Sequence, residues 1–525
     1  MWPHSALVYL SAAFLFSLFS NKINVLSSNE YNYNLPESHV PFYFRNFPDE
    51  LKKCVEDEKC PYKNNIPNEL PCWGYEADCQ KSLSYSIPEC PKDHKGWAET
   101  KSDQVKLFYQ QGDFGYVKKQ ADSIMVMCEP TFKDDTALEC SKHMEFCRGR
   151  NIMMNFTSLL KRTEPFRYKM DVFSGGDFGG HCHLHKERMD KEADHMSPLQ
   201  SWAPEMRFFT IFQEKPIRDG LCDVVLEKPA FIMKIDATVN MYHHFCDFFN
   251  LYASLHLNIS HPSVFNTDVH IIIWETYPYR SNFADMWKVF TKNKVLTLRN
   301  FSGKTVCFRN VVFPLLPRMI FGLYYNTPLI KGCEKSGLFK AFSEFVLHRL
   351  NIHEHVRNNS KVHVTLLSRE TAYRNILNEK NLISALEKDS DLEVRRIVFN
   401  NEIPFRSQLE VIRNTDILIG IHGAGLTHLL FLPDWAAIFE LYNCEDENCY
   451  LDLARLRGVK YITWQKKDKI TAQDGGRHPN GGAHAKFANY AFDVTEFQRL
   501  VNVLADYVKK HPKFREKTKH FHDEL

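Results

Sequence analysis

The 525-residue sequence has little of what marks several large protein classes. Its 22 glycines and 24 prolines are too few for a collagen-like or low-complexity chain. Lys and Arg total 66 against 64 Asp and Glu, so no strong net charge attracts nucleic acid or an anionic membrane. The sequence contains no CxxC pair, P-loop, Gly-x-Ser-x-Gly elbow or kinase signature. These absences argue against a zinc ribbon, a dithiol isomerase and the enzyme classes that carry those motifs.

Hydrophobic and aromatic residues, by contrast, are plentiful. They make up 44% and 13% of the chain, which is enough to build large cores and excludes disorder as the overall state. At roughly 150 residues per domain, the length indicates about three folding units.

Both ends of the chain carry candidate targeting signals. Ala6–Phe19 is an uncharged apolar block, shorter than the about 20 residues that span a bilayer. It predicts a signal peptide over 1–20, with an uncleaved anchor as the alternative. The last four residues are His522, Asp523, Glu524 and Leu525, which form an ER retrieval signal when they are C-terminal. Together they predict a protein of the ER lumen that binds a retrieval receptor and has no membrane insertion after cleavage.

The cysteines and glycosylation sequons agree with a secretory route. Eight of the 15 cysteines lie between Cys54 and Cys147, which indicates a disulfide framework with at least one residue left over. Cys444 and Cys449 are expected to close a small loop. Four Asn-x-Ser/Thr sequons are candidate N-glycosylation sites: Asn155, Asn258, Asn300 and Asn358.

Sequence pattern divides the chain into seven segments. They are a signal peptide (1–20), a loose polar lead-in (21–50), an irregular cysteine-rich region (51–215), a first α/β lobe (216–350), a polar linker (351–361), a second α/β lobe (362–510) and a tail (511–525). The fold class is therefore α/β with a disulfide-rich N-terminal region.

The second lobe alternates strands and helices. Predicted strands are Val362–Leu367, Leu392–Phe399, Ile417–Ile421, Ala437–Leu441 and Lys460–Trp464. Predicted helices are Arg374–Glu387, Pro404–Asn414, one from Leu426, Tyr450–Arg457 and a last one opened by Asp493 and Glu496. Short, buried, branched-aliphatic strands of this kind predict a parallel sheet covered on both faces.

A candidate ligand site follows the strand Ile417–Ile421. His422 and the glycines Gly423 and Gly425 form a turn that opens a helix, where free amides attract phosphate and glycine lets the backbone approach a ligand. The alternative is a tight turn needed only for packing.

Four further candidate residues for ligand binding lie near the same predicted sheet edge. Arg369 and Arg374 follow the strand Val362–Leu367, with Asn378 beyond them, and two guanidinium groups suit a diphosphate. Glu440 lies near the end of the predicted strand Ala437–Leu441. It is expected to accept hydrogen bonds from a ribose, or else to form an ion pair.

A candidate general base lies in the first lobe. In a helix, His243 or His244 shares a face with Asp247, and a carboxylate-supported imidazole suits proton transfer near neutral pH. A structural His–Asp hydrogen bond is the alternative. The run His181–His185 is a weak metal signal, because Cys182 is expected to be oxidised.

Long strings of this sequence resemble members of glycosyltransferase family 61 over nearly the full length. They are Cys72–Glu76, Gly179–Cys182, Ser197–Trp202, Asn240–Asp247, Leu315–Met319, Gly420–Trp435, Phe439–Glu447 and Asp452–Gly458. The resemblance implies a GT-B-like fold of two Rossmann-type lobes, with the acceptor on 216–350 and the nucleotide sugar on 362–510. It also implies inverting transfer of N-acetylglucosamine from UDP-N-acetylglucosamine to Ser or Thr of folded EGF-like repeats, such as those of Notch receptors and their ligands.

One position departs from the family pattern. The family carries an acidic-x-acidic element where this chain has Lys292, Asn293 and Lys294. Either a metal is dispensable at that position or the enzyme is impaired, and the first is expected, since arginines and helix amides can stabilise a diphosphate. No metal ligands and no required cofactor are therefore predicted, although a divalent ion could stimulate. A non-catalytic ER lectin or chaperone, and a transferase for another sugar such as xylose, are the competing interpretations.

Overall fold

The computed structural model describes residues 31–519, apart from 92–97, 160–170, 194–199, 260, 318–331, 358, 443–447, 479–480 and 483. The predicted signal peptide, the C-terminal tetrapeptide, Asn358 and Cys444 lie outside the described residues. Within them, no helix is both long enough and apolar enough to cross a bilayer.

Fourteen α-helices occur in the described part of the chain. Their bounds are α1 Val40–Asn46, α2 Pro48–Glu56, α3 Lys101–Gly112, α4 Phe114–Asp122, α5 Lys186–Glu192, α6 Ala203–Met206, α7 Met241–Leu257, α8 Trp287–Phe290, α9 Gly337–Arg349, α10 Glu379–Leu386, α11 Phe405–Arg413, α12 Asn448–Arg457, α13 Val494–Lys510 and α14 Pro512–Lys519. A 3-10 helix, Ala424–Phe431, follows the candidate glycine turn.

The described strands number eighteen. Their bounds are β1 Met125–Glu129, β2 Ala137–Cys140, β3 Cys147–Asn155, β4 Phe178–Gly180, β5 His183–Leu184, β6 Phe209–Ile211, β7 Val224–Leu226, β8 Ala230–Met233, β9 His270–Ile273, β10 Leu296–Thr297, β11 Thr305–Phe313, β12 Val362–Ser368, β13 Leu392–Val398, β14 Ile417–Gly420, β15 Ala437–Glu440, β16 Lys460–Thr463, β17 Ile470–Ala472 and β18 Tyr490–Phe492.

The first lobe is built on a mixed sheet of eleven described strands. Its parallel part has the order β10-β9-β8-β11, so the chain reverses its direction of travel between β8 and β11. On the other side of β11, antiparallel β3 continues into β2, β1 and β5. The cysteine-rich region predicted at 51–215 therefore shares one sheet with residues 216–350.

The second lobe has a fully parallel five-stranded sheet, as the alternating pattern predicted. Its order is β13-β12-β14-β15-β16, a doubly wound arrangement in which the switch point lies between β12 and β14. The predicted fold class is confirmed: the protein is α/β and GT-B-like, with two Rossmann-type lobes and a disulfide-rich N-terminal region.

Six disulfides lie within the described residues. They join Cys54–Cys60, Cys72–Cys79, Cys90–Cys333, Cys128–Cys182, Cys140–Cys147 and Cys222–Cys307. Cys182 is thus oxidised, as the sequence argument expected. The Cys246 thiol is a buried group of α7 outside these bridges.

The N-terminal helices are not a loose lead-in. Phe44 of α1 is completely buried, and Tyr43 of the same helix lies 4.7 Å from Phe47 between ring centroids. The aromatic spacing of this segment provides a core face that the polar composition of 21–50 concealed.

The two lobes share a continuous apolar contact. Phe245 of α7 lies 5.6 Å from Phe405 of α11 and 5.8 Å from Phe431 of the 3-10 helix, measured between ring centroids. All three rings are buried, so α7 is packed against the second lobe as well as against its own sheet. This helix positions the candidate base residues beside the second sheet.

Candidate functional site

The switch point of the second sheet brings four candidate residues together. Arg369 directly follows β12, while His422 and Gly423 lie just beyond β14, the neighbouring strand. Arg374 donates a hydrogen bond of 3.4 Å to the His422 carbonyl. In doubly wound sheets, ligands bind at the carboxyl ends of strands on either side of this point.

The two guanidinium groups converge on Gly423. A Cβ atom added at Gly423 would lie 2.6 Å from Nη1 of Arg369 and 3.3 Å from Nη1 of Arg374. Burial, and secondarily the charge of Arg374, lowers the pKa of Arg369 to about 10. The buried Nε of Arg369 has no hydrogen-bond partner among the described residues. Two adjacent cations in this setting are suited to an anionic ligand.

Arg374 is held by backbone contacts that the sequence did not reveal. Its φ of 60° lies in the left-handed region, and its N–H donates 3.2 Å to the Ala488 carbonyl. The guanidinium lies 5.4 Å from the ring centroid of Phe487. The predicted helix Arg374–Glu387 consequently begins only at Glu379, because the preceding residues are fixed against the segment before β18.

Asn378 has a structural position. Its Nδ2 donates 2.8 Å to the Phe492 carbonyl, and its Oδ1 accepts 3.1 Å from the Phe492 N–H. Both amide atoms therefore join the start of α10 to β18. Contact of Asn378 with the nucleotide sugar stays a prediction.

Glu440 is a partner of His422 and not an accessible ribose acceptor. Its carboxylate is fully buried, with Oε1 2.6 Å from His422 Nδ1 and Oε2 accepting 2.5 Å from the Tyr461 hydroxyl. Since both oxygens are engaged by His422 and Tyr461, Glu440 is a hydrogen-bonding partner within the fold, which does not match the predicted ribose contact. Tyr461, on the next strand, was not identified from the sequence because its hydroxyl reaches Glu440 only across the sheet.

Gly425 serves close packing. A Cβ atom there would lie 2.8 Å from Cδ2 of Leu367 at the end of β12. The helix predicted from Leu426 begins two residues earlier and is a 3-10 helix. The first amides of any helix have no acceptor within it, so this N-terminus offers donors beside the two arginines.

The adjacent histidines of α7 have different partners. His243 Nδ1 lies 2.8 Å from Asp236 Oδ2, whereas His244 Nδ1 lies 2.8 Å from Asp247 Oδ2. His244 Nε2 also shares a 2.7 Å hydrogen bond with the Tyr279 hydroxyl. The helical spacing pairs either histidine with Asp247, and the structure shows the pair with His244. Asp236 has no such signal in the sequence, because strand β8, which precedes it, is not predicted.

Aromatic rings connect the start of α7 with the second lobe's ligand site. The ring centroid of Tyr242 lies 5.6 Å from that of Tyr450 in α12, and Tyr450 lies 5.4 Å from His422. The start of α7, which carries the candidate base residues, and the segment after β14, which carries His422, therefore lie close together where the two lobes meet, a region referred to below as the interlobe cleft.

Residues 292–294, which replace the acidic-x-acidic element of the family, lie at the end of the first sheet away from Asp236 and His243. Lys292 forms an ion pair of 3.2 Å with Asp268, and Asn293 Nδ2 donates 3.0 Å to the same carboxylate. Hydrogen bonds from Lys228 and Asn293 hold the pKa of Asp268 well below its usual range. Because Asp268 precedes β9, this cluster lies at the amino edge of the parallel strands. Lys294 is exposed.

The other sequence candidates are distributed over the surface. Asn155, Asn258 and Asn300 are partly or fully exposed, and Asn300 Oδ1 accepts the Thr297 N–H in a capping box. The single metal-like cluster among described residues comprises Cys72, Glu76 and Cys79. Its two sulfur atoms form a disulfide and are not thiolate ligands.

Comparison with known proteins gives a consistent result. Residues 241–439 match the family model described as Glycosyltransferase 61. An EGF domain-specific O-linked N-acetylglucosamine transferase of Drosophila melanogaster is 54% identical over 482 residues, covering 92% of each chain. Proteins of the same name from Mus musculus and Pan troglodytes are 48% and 45% identical. The mouse protein covers 94% of this chain and 92% of its own, and the chimpanzee protein 98% and 99%.

Proposed function

The chain belongs to glycosyltransferase family 61, and on that basis we propose that it transfers N-acetylglucosamine from UDP-N-acetylglucosamine to Ser or Thr hydroxyls of folded EGF-like repeats. EGF-repeat proteins such as Notch receptors and their ligands are the proposed acceptors. The names of relatives that align over more than nine-tenths of their length support this choice.

The arginine pair beside Gly423 is the observation that carries the donor assignment. Arg369 and Arg374 lie at the switch point of the second sheet, where a doubly wound fold binds nucleotides. Two guanidinium groups and the first amides of the 3-10 helix suit the diphosphate of a nucleotide sugar. They also supply positive charge to the UDP leaving group as the glycosidic bond breaks.

The proposed reaction is a single in-line displacement. The acceptor oxygen attacks C1 of the sugar, the bond from C1 to the phosphate oxygen breaks, and the hydroxyl proton passes to a base on the first lobe. An α-linked donor then gives a β-linked product. No step is assigned to a metal, because Arg369 and Arg374 supply the positive charge at the diphosphate. Lys292 and Lys294, which replace the acidic residues of the family element, lie at the far edge of the first sheet and have no lone pair to offer when protonated.

We further propose that the protein resides in the ER lumen. The two terminal signals support this, as do the disulfides of the described residues, since such bridges persist in oxidising compartments. Deletion of Glu524 and Leu525 tests the proposal in cells. Secretion of an active protein is expected, whereas continued retention would contradict the retrieval signal and favour an uncleaved anchor.

Intact-mass analysis tests the activity directly. Purified protein is incubated with a folded EGF-like repeat and either UDP-N-acetylglucosamine or UDP-xylose, and a reduced, unfolded repeat serves as the acceptor control. A gain of one N-acetylhexosamine on the folded repeat alone is expected. A gain with UDP-xylose only would indicate the other sugar, and binding of the repeat without a change in mass would indicate a lectin.

A further inference from the structure

Two His–Asp pairs lie side by side on α7, and they differ in access. The side chain of His243 is 24% exposed over a buried Asp236, whereas the side chains of His244 and Asp247 are both 0% exposed. A group that takes a proton from a protein substrate must be reachable from the cleft. Only the first pair meets this condition.

Asp236 lies at the carboxyl end of a strand beside the switch point of the first sheet, where ligands bind in doubly wound folds. It follows β8 by three residues, and β8 borders the switch point of the order β10-β9-β8-β11. The two lobes therefore present equivalent edges to the cleft, one through Asp236 and His243 and the other through Arg369 and Gly423.

Asp236 is itself rigidly placed. Its backbone N–H donates 3.2 Å to Asp247 Oδ1, and Asp247 in turn contacts His244. The buried pair thus anchors the loop that carries Asp236, and Asp236 orients the partly exposed ring of His243. Burial lowers the pKa of His244 to about 3, which suits an anchoring residue and not a base that operates near neutral pH.

From this geometry we propose that His243 is the catalytic base and that Asp236 is its positioning residue. The proposal rests on the transferase function above and narrows its mechanism to one histidine and one carboxylate.

These two residues account for every proton that moves in the step. The acceptor hydroxyl gives its proton to Nε2 of His243 while its oxygen bonds to C1 and UDP departs with the electron pair of the broken bond. The Nδ1 proton remains in the hydrogen bond to Asp236. The carboxylate fixes the tautomer with Nε2 as the acceptor and stabilises the imidazolium that forms.

Three variants assayed at saturating acceptor test the assignment, and a fourth at the buried pair serves as their control. His243→Ala is expected to lower kcat by about 10²- to 10⁴-fold, and Asp236→Asn by about tenfold or more through loss of the tautomer. UDP affinity measured by calorimetry should stay within about twofold in both variants, because the arginine site is intact. Asp236→Glu is expected to recover part of the loss.

The buried pair supplies the matched control. His244→Asn is expected to lower the thermal midpoint, and imidazole added to the assay should not raise its rate. The same imidazole should raise the rate of His243→Ala, since that site is open to the cleft. If the wild type transfers the sugar and either Asp236→Asn or His243→Ala keeps the wild-type kcat, the base assignment is wrong while the proposed transferase function stands. Absence of transfer by the wild type would overturn the proposed function, and the base assignment with it.

Discussion

Among single residues, Arg369 gives the strongest indication of a ligand, because its buried Nε has no hydrogen-bond partner in the part of the chain that the structure describes. We expect Arg369→Ala to weaken UDP binding by about 10- to 100-fold, since a hydrogen bond to a charged group contributes about 1.5 to 3 kcal/mol. Arg374→Ala should act in the same direction. Calorimetric titration with UDP measures both.

Arg309→Ala is the matched control for this titration. Arg309 forms an exposed ion pair of 3.0 Å with Glu227 on the first sheet. Its loss should leave UDP affinity unchanged. Equal affinities for wild type and Arg369→Ala would place the diphosphate elsewhere.

Gly423 acts by leaving space for the guanidinium groups. We expect Gly423→Ala to raise the KM for the donor severalfold, because its Cβ would lie 2.6 Å from Arg369 Nη1 and displace that side chain. Gly175→Ala is the control, since nothing lies within 4 Å of a Cβ at that position. Steady-state kinetics give the KM for the donor in the two variants. Equal values would show that Arg369 can move aside without weakening donor binding.

The buried ring of His256 links stability to pH. It packs against Trp73 and Phe114, and burial lowers its pKa to about 3. Below the unfolded value of about 6.5 the unfolded chain binds a proton that the folded chain does not. The free energy of unfolding therefore falls by about 1.4 kcal/mol per pH unit from about pH 6.5 towards pH 3.

Replacement by phenylalanine isolates this contribution. Between pH 7 and pH 5, we expect the stability of the wild type to fall by about 2 kcal/mol more than that of His256→Phe. Urea unfolding at the two pH values gives the difference. Parallel curves for the two proteins would mean that His256 is protonated inside the core.

At the scale of elements, one carboxylate caps two helices. Asp113 Oδ1 accepts the N–H groups of Phe114 and Leu338, at 2.8 and 2.9 Å, and Oδ2 accepts that of Gly337 at 3.1 Å. The start of α4 is thereby joined to the start of α9, across more than two hundred residues of sequence.

Removal of this cap should be costly. We expect Asp113→Ala to lower the free energy of unfolding by about 3 kcal/mol, since each lost cap costs about 1 kcal/mol and buried amides stay unpaired. Asp49→Ala, an exposed acid in the first turn of α2, should change it by less than about 0.5 kcal/mol. Denaturant unfolding of both variants measures this, and similar values would contradict a shared cap.

The elements of the second lobe could be predicted and some of the first could not. Strands such as Val362–Ser368 and Ile417–Gly420 are short aliphatic runs bounded by polar turns, so their bounds followed from composition. Strand β8, by contrast, has only four residues, Ala230–Met233, all of them buried, so it shows no alternation of apolar and polar residues. Because it was missed, Asp236 at its end was missed as well, and contacts made only by folding, such as Tyr461 with Glu440, have no sequence signal.

At the scale of the whole molecule, the cleft and the Lys292 cluster lie at opposite edges of the parallel strands. We expect transfer to persist largely in EDTA, with modest stimulation by Mn²⁺, because Arg369 and Arg374 supply the positive charge at the diphosphate. Activity measured before and after dialysis against chelator tests this. Complete loss that Mn²⁺ restores would show that other carboxylates hold a required ion.

The disulfide between Cys90 and Cys333 constrains the order in which the disulfides can form during synthesis. The two residues are 243 positions apart, which at about 5 to 20 residues per second means about 12 to 50 s of translation between them. The short-range bridge Cys54–Cys60 can close as soon as its segment leaves the ribosome. Cys90 has no native partner until most of the chain has emerged, so an oxidant acting early offers it only wrong partners. The native bridge of Cys90 therefore cannot form before Cys333 has emerged, whether Cys90 stays reduced until then or first exchanges a non-native partner.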